Sequence, residues 1–507
     1  MNLEQKIVDI SQIGEQLVPL RAAGKKIVQC HGVFDLLHPG HFAHLETARR
    51  SGDVLVVSVT TDRFVNKGPG RPAFKAELRA KSLAALQVVD YVVLSDSASA
   101  IEAINAIRPD IYVKGNDYSD HSKDSTGKIT AEVKAVRSHG GDVLYTDEVT
   151  FSSTRLLNSY FDVLPENVRT WLGENRGRHS FEEITGLINQ LSGLNVLVVG
   201  DAIIDEYVFC TVFGKSTKSP SLNARILDTE TYAGGSLAVA NHLSGFCASV
   251  DLLTCLGEQS THEDFINANL ESNVHPTFVV RPDGPTTLKR RFVERFRSSK
   301  LFEITDIEDR PVPAETNLAL RKEFERLAEK ADLIVVCDYG HGMIDEEFAR
   351  TISSTGKFLA LNVQTNSANV GFNLITKYPR ANYVCIDKVE LQLAYHKKAV
   401  DVLELAQKGA ADLSADMFVV TLGGDGARLI ANGEVTAVPA FSRDVIDSVG
   451  AGDAFFAVTA PCVALGFKPE VIGVIGNAVG GMAIRIMGNS EFIKPAPLLR
   501  YIEHLLK

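Results

Sequence analysis

Ile27-Val28-Gln29-Cys30-His31-Gly32-Val33-Phe34-Asp35-Leu36-Leu37-His38-Pro39-Gly40-His41 is a short apolar run, a glycine-marked loop and the opening of a helix. Ile27 to Cys30 reads as a buried strand and His41 to Arg50 as a helix. Outward from it the alternation continues. Val54 to Val59 is a second buried strand, Ala76 to Leu86 a helix, Tyr91 to Leu94 a strand, Ile101 to Ile107 a helix and Ile111 to Val113 a strand. Such alternation predicts a parallel sheet with helices on both faces, and ligands on that architecture sit at the C-terminal ends of the strands. His38 and His41 therefore fall at the ligand edge.

A second doubly wound domain is expected further on. Val196 to Gly200, Leu333 to Val336, Tyr383 to Ile386 and Phe418 to Thr421 read as its strands. Between Tyr207 and Phe302 the pattern is more β-rich, and the basic–apolar alternation of Arg290 to Phe302 suits a small β lid or sheet edge. Pro165 to Gly193 is polar and reads as a linker, in which Ser180 and Glu183 form a capping box that starts a leading helix. The expected division is 1–164, a linker and helix over 165–192, and 193–507. A chain of 507 residues fits such a count.

Composition narrows the class. Hydrophobic content of 45% and charged content of 23% are those of a globular protein. A net charge of −11 argues against general nucleic-acid binding. The seven cysteines are scattered without a C-x-x-C pair, which points to a reduced, cytoplasmic protein. Ala454 to Phe467, the longest apolar stretch, is too short to span a bilayer.

Two stretches carry phosphate chemistry. In the first, imidazoles at a helix start can donate to the charge that builds up on a phosphoryl group, and Gly32 and Gly40 permit close backbone approach. His31 and His44, close by, read as structural. The H-x-G-H pattern resembles the cytidylyltransferase-like nucleotidyltransferases. Lys67 before Arg71-Pro72, Arg79, Lys114-Gly115-Asn116-Asp117-Tyr118 and Phe151-Ser152-Ser153-Thr154 fit the same family. The resemblance implies a Rossmann-like domain in which His38, His41 and Lys114 are catalytic. It further implies that Gly32, Phe34, Asp35, Lys67, Arg79, Asp117, Ser152, Ser153 and Thr154 hold nucleotide and phosphate.

In the second, Asp447-Ser448-Val449-Gly450-Ala451-Gly452-Asp453 opens an apolar helix. Gly450, Ala451 and Gly452 offer amides and a positive dipole end to an anion, and Asp453 can accept a proton from an attacking hydroxyl. With Gly200-Asp201-Ala202-Ile203-Ile204-Asp205, Ala233-Gly234-Gly235-Ser236, Asn241, Asp338-Tyr339-Gly340 and Thr421-Leu422-Gly423-Gly424-Asp425-Gly426, this half resembles the ribokinase-like carbohydrate kinases. The resemblance implies Asp453 as catalytic base and Gly423, Gly424 and Gly426 on the nucleotide side. Asp201, Asp205, Gly234, Gly235 and Asn241 would bind sugar, and Glu390 would lie near Mg²⁺.

Both halves together resemble the bifunctional heptose kinase/nucleotidylyltransferases, with the domains in reversed order. That implies ATP-dependent phosphorylation of a heptose-like sugar phosphate, then AMP or CMP transfer from ATP or CTP with Mg²⁺. It also implies a homodimer whose other partners are small molecules, with no nucleic acid and no membrane. Leu361-Asn362-Val363 replaces the usual Asp-Pro-Lys, Asp387-Lys388-Val389-Glu390 the usual Asn-x-x-Glu, and Lys215-Ser216-Thr217-Lys218-Ser219 a less basic loop. These departures leave open a CTP-dependent cytidylyltransferase for a polyol or alcohol phosphate, with an associated kinase or regulatory kinase-like domain.

Overall fold

The computed structural model describes residues 3–65, 71–115, 128–146, 164–175, 177–296, 299–367, 369–442 and 444–506. The chain forms two compact units, residues 1–165 with 503–507 and residues 166–502.

In the first unit, six parallel strands form one sheet: β1 (Ile7–Val8), β2 (Ile27–Gly32), β3 (Val54–Thr60), β4 (Tyr91–Ser95), β5 (Ile111–Gly115) and β6 (Asp142–Thr146). Their order is β1-β4-β3-β2-β5-β6. Every residue of β3 is buried, the signature of a strand covered on both faces. The chain reverses its direction of winding at β2, so the loop after β2, which carries His38, opens at the crevice where such sheets bind ligands.

The second unit carries two sheets. Nine strands form the larger: β7 (Asn195–Gly200), β10 (Ser249–Gln259), β11 (Val274–Pro285), β14 (Leu333–Asp338), β15 (Phe358–Val363), β16 (Tyr383–Asp387), β17 (Met417–Thr421), β18 (Ala427–Ala431) and β19 (Glu434–Val438). Their order is β11-β10-β7-β14-β15-β16-β17-β18-β19, with antiparallel pairing only at β17/β18 and β18/β19. Leu197, Val336, Leu361, Val384 and Val420 lie in one core on this sheet.

The smaller sheet has the order β13-β12-β8-β9, with β8 (Ala202–Lys215), β9 (Leu222–Gly235), β12 (Thr287–Glu294) and β13 (Ser299–Asp306). It is the β lid that the alternation predicts. Only Asp201 separates β7 from β8, and only Thr286 separates β11 from β12. Gly235 ends β9 opposite Ala202, and the Ser236 amide donates to the Asp201 carbonyl at 3.1 Å. The two direct passages between the sheets, at Asp201 and Thr286, thus lie on neighbouring strands beside the end of β9.

The expected linker holds two helices, Glu166–Asn175 and Phe181–Gln190. The first escaped the sequence because its inward face is short, with Val168 its one fully buried residue. Ser180 caps the second by accepting from the Glu183 amide at 3.1 Å. The expected return bond is not formed; the Glu183 carboxylate lies 3.3 Å from the His179 ring instead.

Candidate functional site

His38 occupies the N-cap position of helix Pro39–Arg50 and stacks on His41, with ring centroids 3.9 Å apart. Phe34, in the left-handed region at φ 50°, tilts its ring against His41 at 5.3 Å. A Cβ at Gly32 would come within 3.1 Å of the Phe34 ring, so glycine lets that ring fold back. Lys114, near the end of β5, lies 3.0 Å from Glu132. Burial works to raise the Glu132 carboxyl, but the Lys114 ammonium and the Ala100 amide outweigh it and hold the carboxyl below its usual range. His44, one turn beyond His41, meets Thr146 Oγ1 through Nδ1 at 2.9 Å. Burial, with the nearby Lys114 charge, pushes its imidazole down to about 4. His31 contacts the hydroxyls of Ser58 and Thr60.

Two residues expected at the phosphates have their polar groups turned to the protein. Asp35 is paired with Arg71 at 3.2 Å, both side chains 1% exposed, and accepts the Phe74 amide at 3.1 Å. The Arg79 guanidinium donates to the carbonyls of Phe74, Thr60 and Val33 and to Asp62. The polar atoms of both residues are engaged inside the protein, in contacts that shape the loop after β2. Lys67, Asp117, Ser152, Ser153 and Thr154 lie outside the described residues.

In the second unit a cavity of about 780 Å³ runs from the lid to the far end of the large sheet. Asp453 sits midway, in the first turn of helix Ala451–Ala464, whose cap Gly450 has φ 79°. Gly450, Ala451 and Gly452 border the cavity beside it. Burial raises the Asp453 carboxyl to about 6, against the hydrogen-bonding influence of Tyr339 and Gln364. Gln364 bridges Asp453 and Asn362 through one amide nitrogen, and Asn362 donates to the Cys385 carbonyl.

The lid end is polar. Asp205 pairs with Arg291 and lies 3.4 Å from the Asn489 amide. A Cβ at Gly234 would come within 2.2 Å of Asp205 Oδ2, and Gly235, at φ 58°, borders the cavity. The opposite end is lined by Gly423, Gly424, Gly426, Ala440, Phe441, Val445 and Ile484. Its glycine and apolar surface suits a flat aromatic base.

Asp387 and Glu390 stand on this side. Glu390 accepts from the amides of Thr365 (3.1 Å) and Asp387 (3.0 Å), completing a capping box, and burial raises its carboxyl to about 7. Among the described residues no three His, Cys, Asp or Glu gather as a metal cage. Both carboxylates line the cavity while accepting backbone amides, so they suit Mg²⁺ only through the waters that this ion retains.

Asp201 and Asn241, expected to bind sugar, are engaged with the protein's own backbone. Asp201 accepts from the amides of Tyr339 (3.0 Å) and His341 (3.4 Å) and borders a small cleft with Arg281 and Thr286. Asn241 donates to the Asn269 carbonyl and accepts from the Glu271 amide, away from the cavity. Asp338 is likewise internal, held by Lys377 and the Tyr378 hydroxyl. Lys289, Arg291, Gln364 and Asn489 border the cavity without having been singled out. Period-two alternation along β12 would have turned Lys289 and Arg291 to one face, whereas Gln364 and Asn489 lie in loops with no sequence signal.

A large α/β sheet whose β lid covers a cavity, with a glycine-capped helix start beside a buried carboxylate, defines a carbohydrate-kinase fold. Residues 194–495 match the pfkB family carbohydrate kinases, and the chain belongs to that family. Residues 30–158 match the cytidylyltransferase-like family. Curated relatives include the bifunctional protein HldE of Gluconobacter oxydans, 42% identical over 153 residues, or 30% of each chain. That of Methylobacillus flagellatus is 43% identical over 151 residues, 29% of this chain and 30% of its own. The matched region thus spans under a third of either relative. In fold, the chain is similar to Escherichia coli phosphofructokinase-2. A mutant form of that enzyme aligns with TM-score 0.51 and 16% identity, covering 62% of this chain and 100% of that one. The potassium complex gives 0.50 and 15% over the same shares.

Proposed function

We propose that this chain makes an activated sugar in two steps. The second unit phosphorylates a hydroxyl of a heptose-like sugar phosphate, and the first couples the resulting sugar 1-phosphate to AMP or CMP. The observation that carries this reading is Asp453, buried at a helix start between a polar and an apolar end of one cavity. The acceptor occupies the lid end, where Asp205 and Asn489 meet hydroxyls and Lys289 and Arg291 favour a phosphate. Gly423 to Gly426 and Phe441 border the nucleotide. Asp453 takes the proton of the attacking hydroxyl, and the first-turn amides at Gly450 to Gly452 donate to charge on the moving phosphoryl group. Mg²⁺, held through water by Asp387 and Glu390, would neutralise phosphate charge.

In the first unit the sugar 1-phosphate attacks the α-phosphate of ATP or CTP, and pyrophosphate leaves. His38, His41 and Lys114 donate to the charge that develops. Support comes from the histidine stack at a helix start and from relatives named as bifunctional. The seven cysteines are thiols, which suits a cytoplasmic setting, and among the described residues no helix is long and apolar enough to cross a membrane. A homodimer is supported by one lid face that exposes Phe302, Ile304 and Ile226.

A phosphorus NMR time course with Mg²⁺, ATP, CTP and a panel of heptose and polyol phosphates tests the reading. A sugar 1-phosphate followed by a diphosphate diester and pyrophosphate is expected. A diester formed only from pre-made phosphates, with no γ-phosphate transfer, would instead indicate a cytidylyltransferase with a regulatory kinase-like unit.

A further inference from the structure

The single tryptophan of the chain, Trp171, lies on helix Glu166–Asn175, the segment that reads as linker. Its indole N–H donates to the Ala437 carbonyl at 2.9 Å. Ala437 belongs to β19, the outer strand of the nine-stranded sheet, so the indole bonds to the sheet edge. The same ring lies 6.0 Å from Phe441, centroid to centroid, at 52°. Phe441 is fully buried and borders the apolar end of the cavity, three residues beyond β19. One side chain therefore holds both the strand that leads into this wall and the ring that forms it.

We propose that Trp171 is a positioning residue for the kinase nucleotide site, acting through Phe441, so that the segment entering the second unit is a working part of its nucleotide wall. The proposal rests on the reading of this cavity as the kinase site. The polar residues that face the acceptor, Asp205, Arg291 and Asn489, line the opposite end of the cavity, so Trp171 acts on the nucleotide and leaves the acceptor untouched. As the only indole, half-buried beside the wall, it also reports the wall's state through its own emission.

The test uses the full chain. Indole emission is followed during ADP titration, with calorimetry on the same samples, and the sugar-dependent conversion of ATP to ADP is assayed for wild type, Trp171→Phe and Trp171→Ala. ADP should shift the emission of wild type. Trp171→Ala should raise KM for ATP about tenfold, with KM for the acceptor unchanged and kcat at saturating ATP within about twofold. Trp171→Phe, which keeps a ring but loses the N–H, should recover most of that loss. Overturning results are an unmoved emission while ADP binds and is formed, or a Trp171→Ala variant with wild-type KM for ATP. A variant that lowers kcat and raises both KM values together, with lower thermal stability, would reveal a merely structural role and also overturn it. If wild type neither binds ADP nor transfers phosphate, the kinase reading fails first and this proposal with it.

Discussion

Asp453 is held at a protonation balance that its chemistry can use. Its folded pKa of about 6 stands above the ordinary carboxylate value of 3.8, because burial favours the neutral form. The native state therefore binds more protons than the unfolded chain between those values, and its stability falls as pH rises through that window. Asp453→Asn removes this cost and should raise stability by about 1–3 kcal/mol in denaturant melts. With Asp453 as the proposed general base, the same change should lower phosphoryl transfer about 10²- to 10⁴-fold. Wild-type kcat should fall as pH drops below about 6. Arg71→Met should act oppositely on the first unit. It leaves the Asp35 carboxylate buried without its cation, and a loss of about 3–5 kcal/mol is expected by chemical denaturation. Residue types were legible at these sites, but their roles were less so. Asp35 and Asp201 look like ligands in sequence because a carboxylate after a strand is equally suited to binding a substrate or a loop amide. Only the fold decides which polar group is nearer.

At the scale of elements, the lid is tied to the helix start that borders Asp453. Asp447 accepts from Lys300 on β13 (2.6 Å), from the Tyr207 hydroxyl on β8 (2.8 Å) and from the amides of Val449 and Gly488. Lys300→Met removes the ammonium from this cluster, and the buried carboxylate then rests on neutral donors. Stability should drop by about 1–3 kcal/mol, and phosphoryl transfer should weaken because the loop into Gly450 loosens. Melting curves alongside initial rates check both. Strands such as β3 and β14 were legible because parallel strands are continuous apolar runs. The long β8 and β9 were harder, since β9 is exposed over most of its length and its composition carries no burial signal. Helix Glu166–Asn175 was missed for the same reason.

For the whole molecule, two chemistries on separate units should be separable. His41→Ala should abolish pyrophosphate release while sugar phosphorylation continues, and Asp453→Asn should still join a supplied sugar 1-phosphate to nucleotide. Loss of both reactions in either variant would contradict the assignment. Phe302→Glu should shift a dimer to monomer in light scattering by placing charge on the exposed lid face. The order of the two domains and their classes could be read from the motifs. The substrate could not, because the polar end of the cavity is assembled from β8, β12 and the loop at Asn489, distant in sequence.

The passages at Asp201 and Thr286 give the lid a mechanical character. Joined to the large sheet by the single residues Asp201 and Thr286, which lie on neighbouring strands, the small sheet would turn about that crease more readily than it would slide. Opening the cavity then becomes a rotation that lifts the far edge most, while Asp205, close to the crease, sweeps the shortest arc. The acceptor's first contact would stay nearly in place as the door swings.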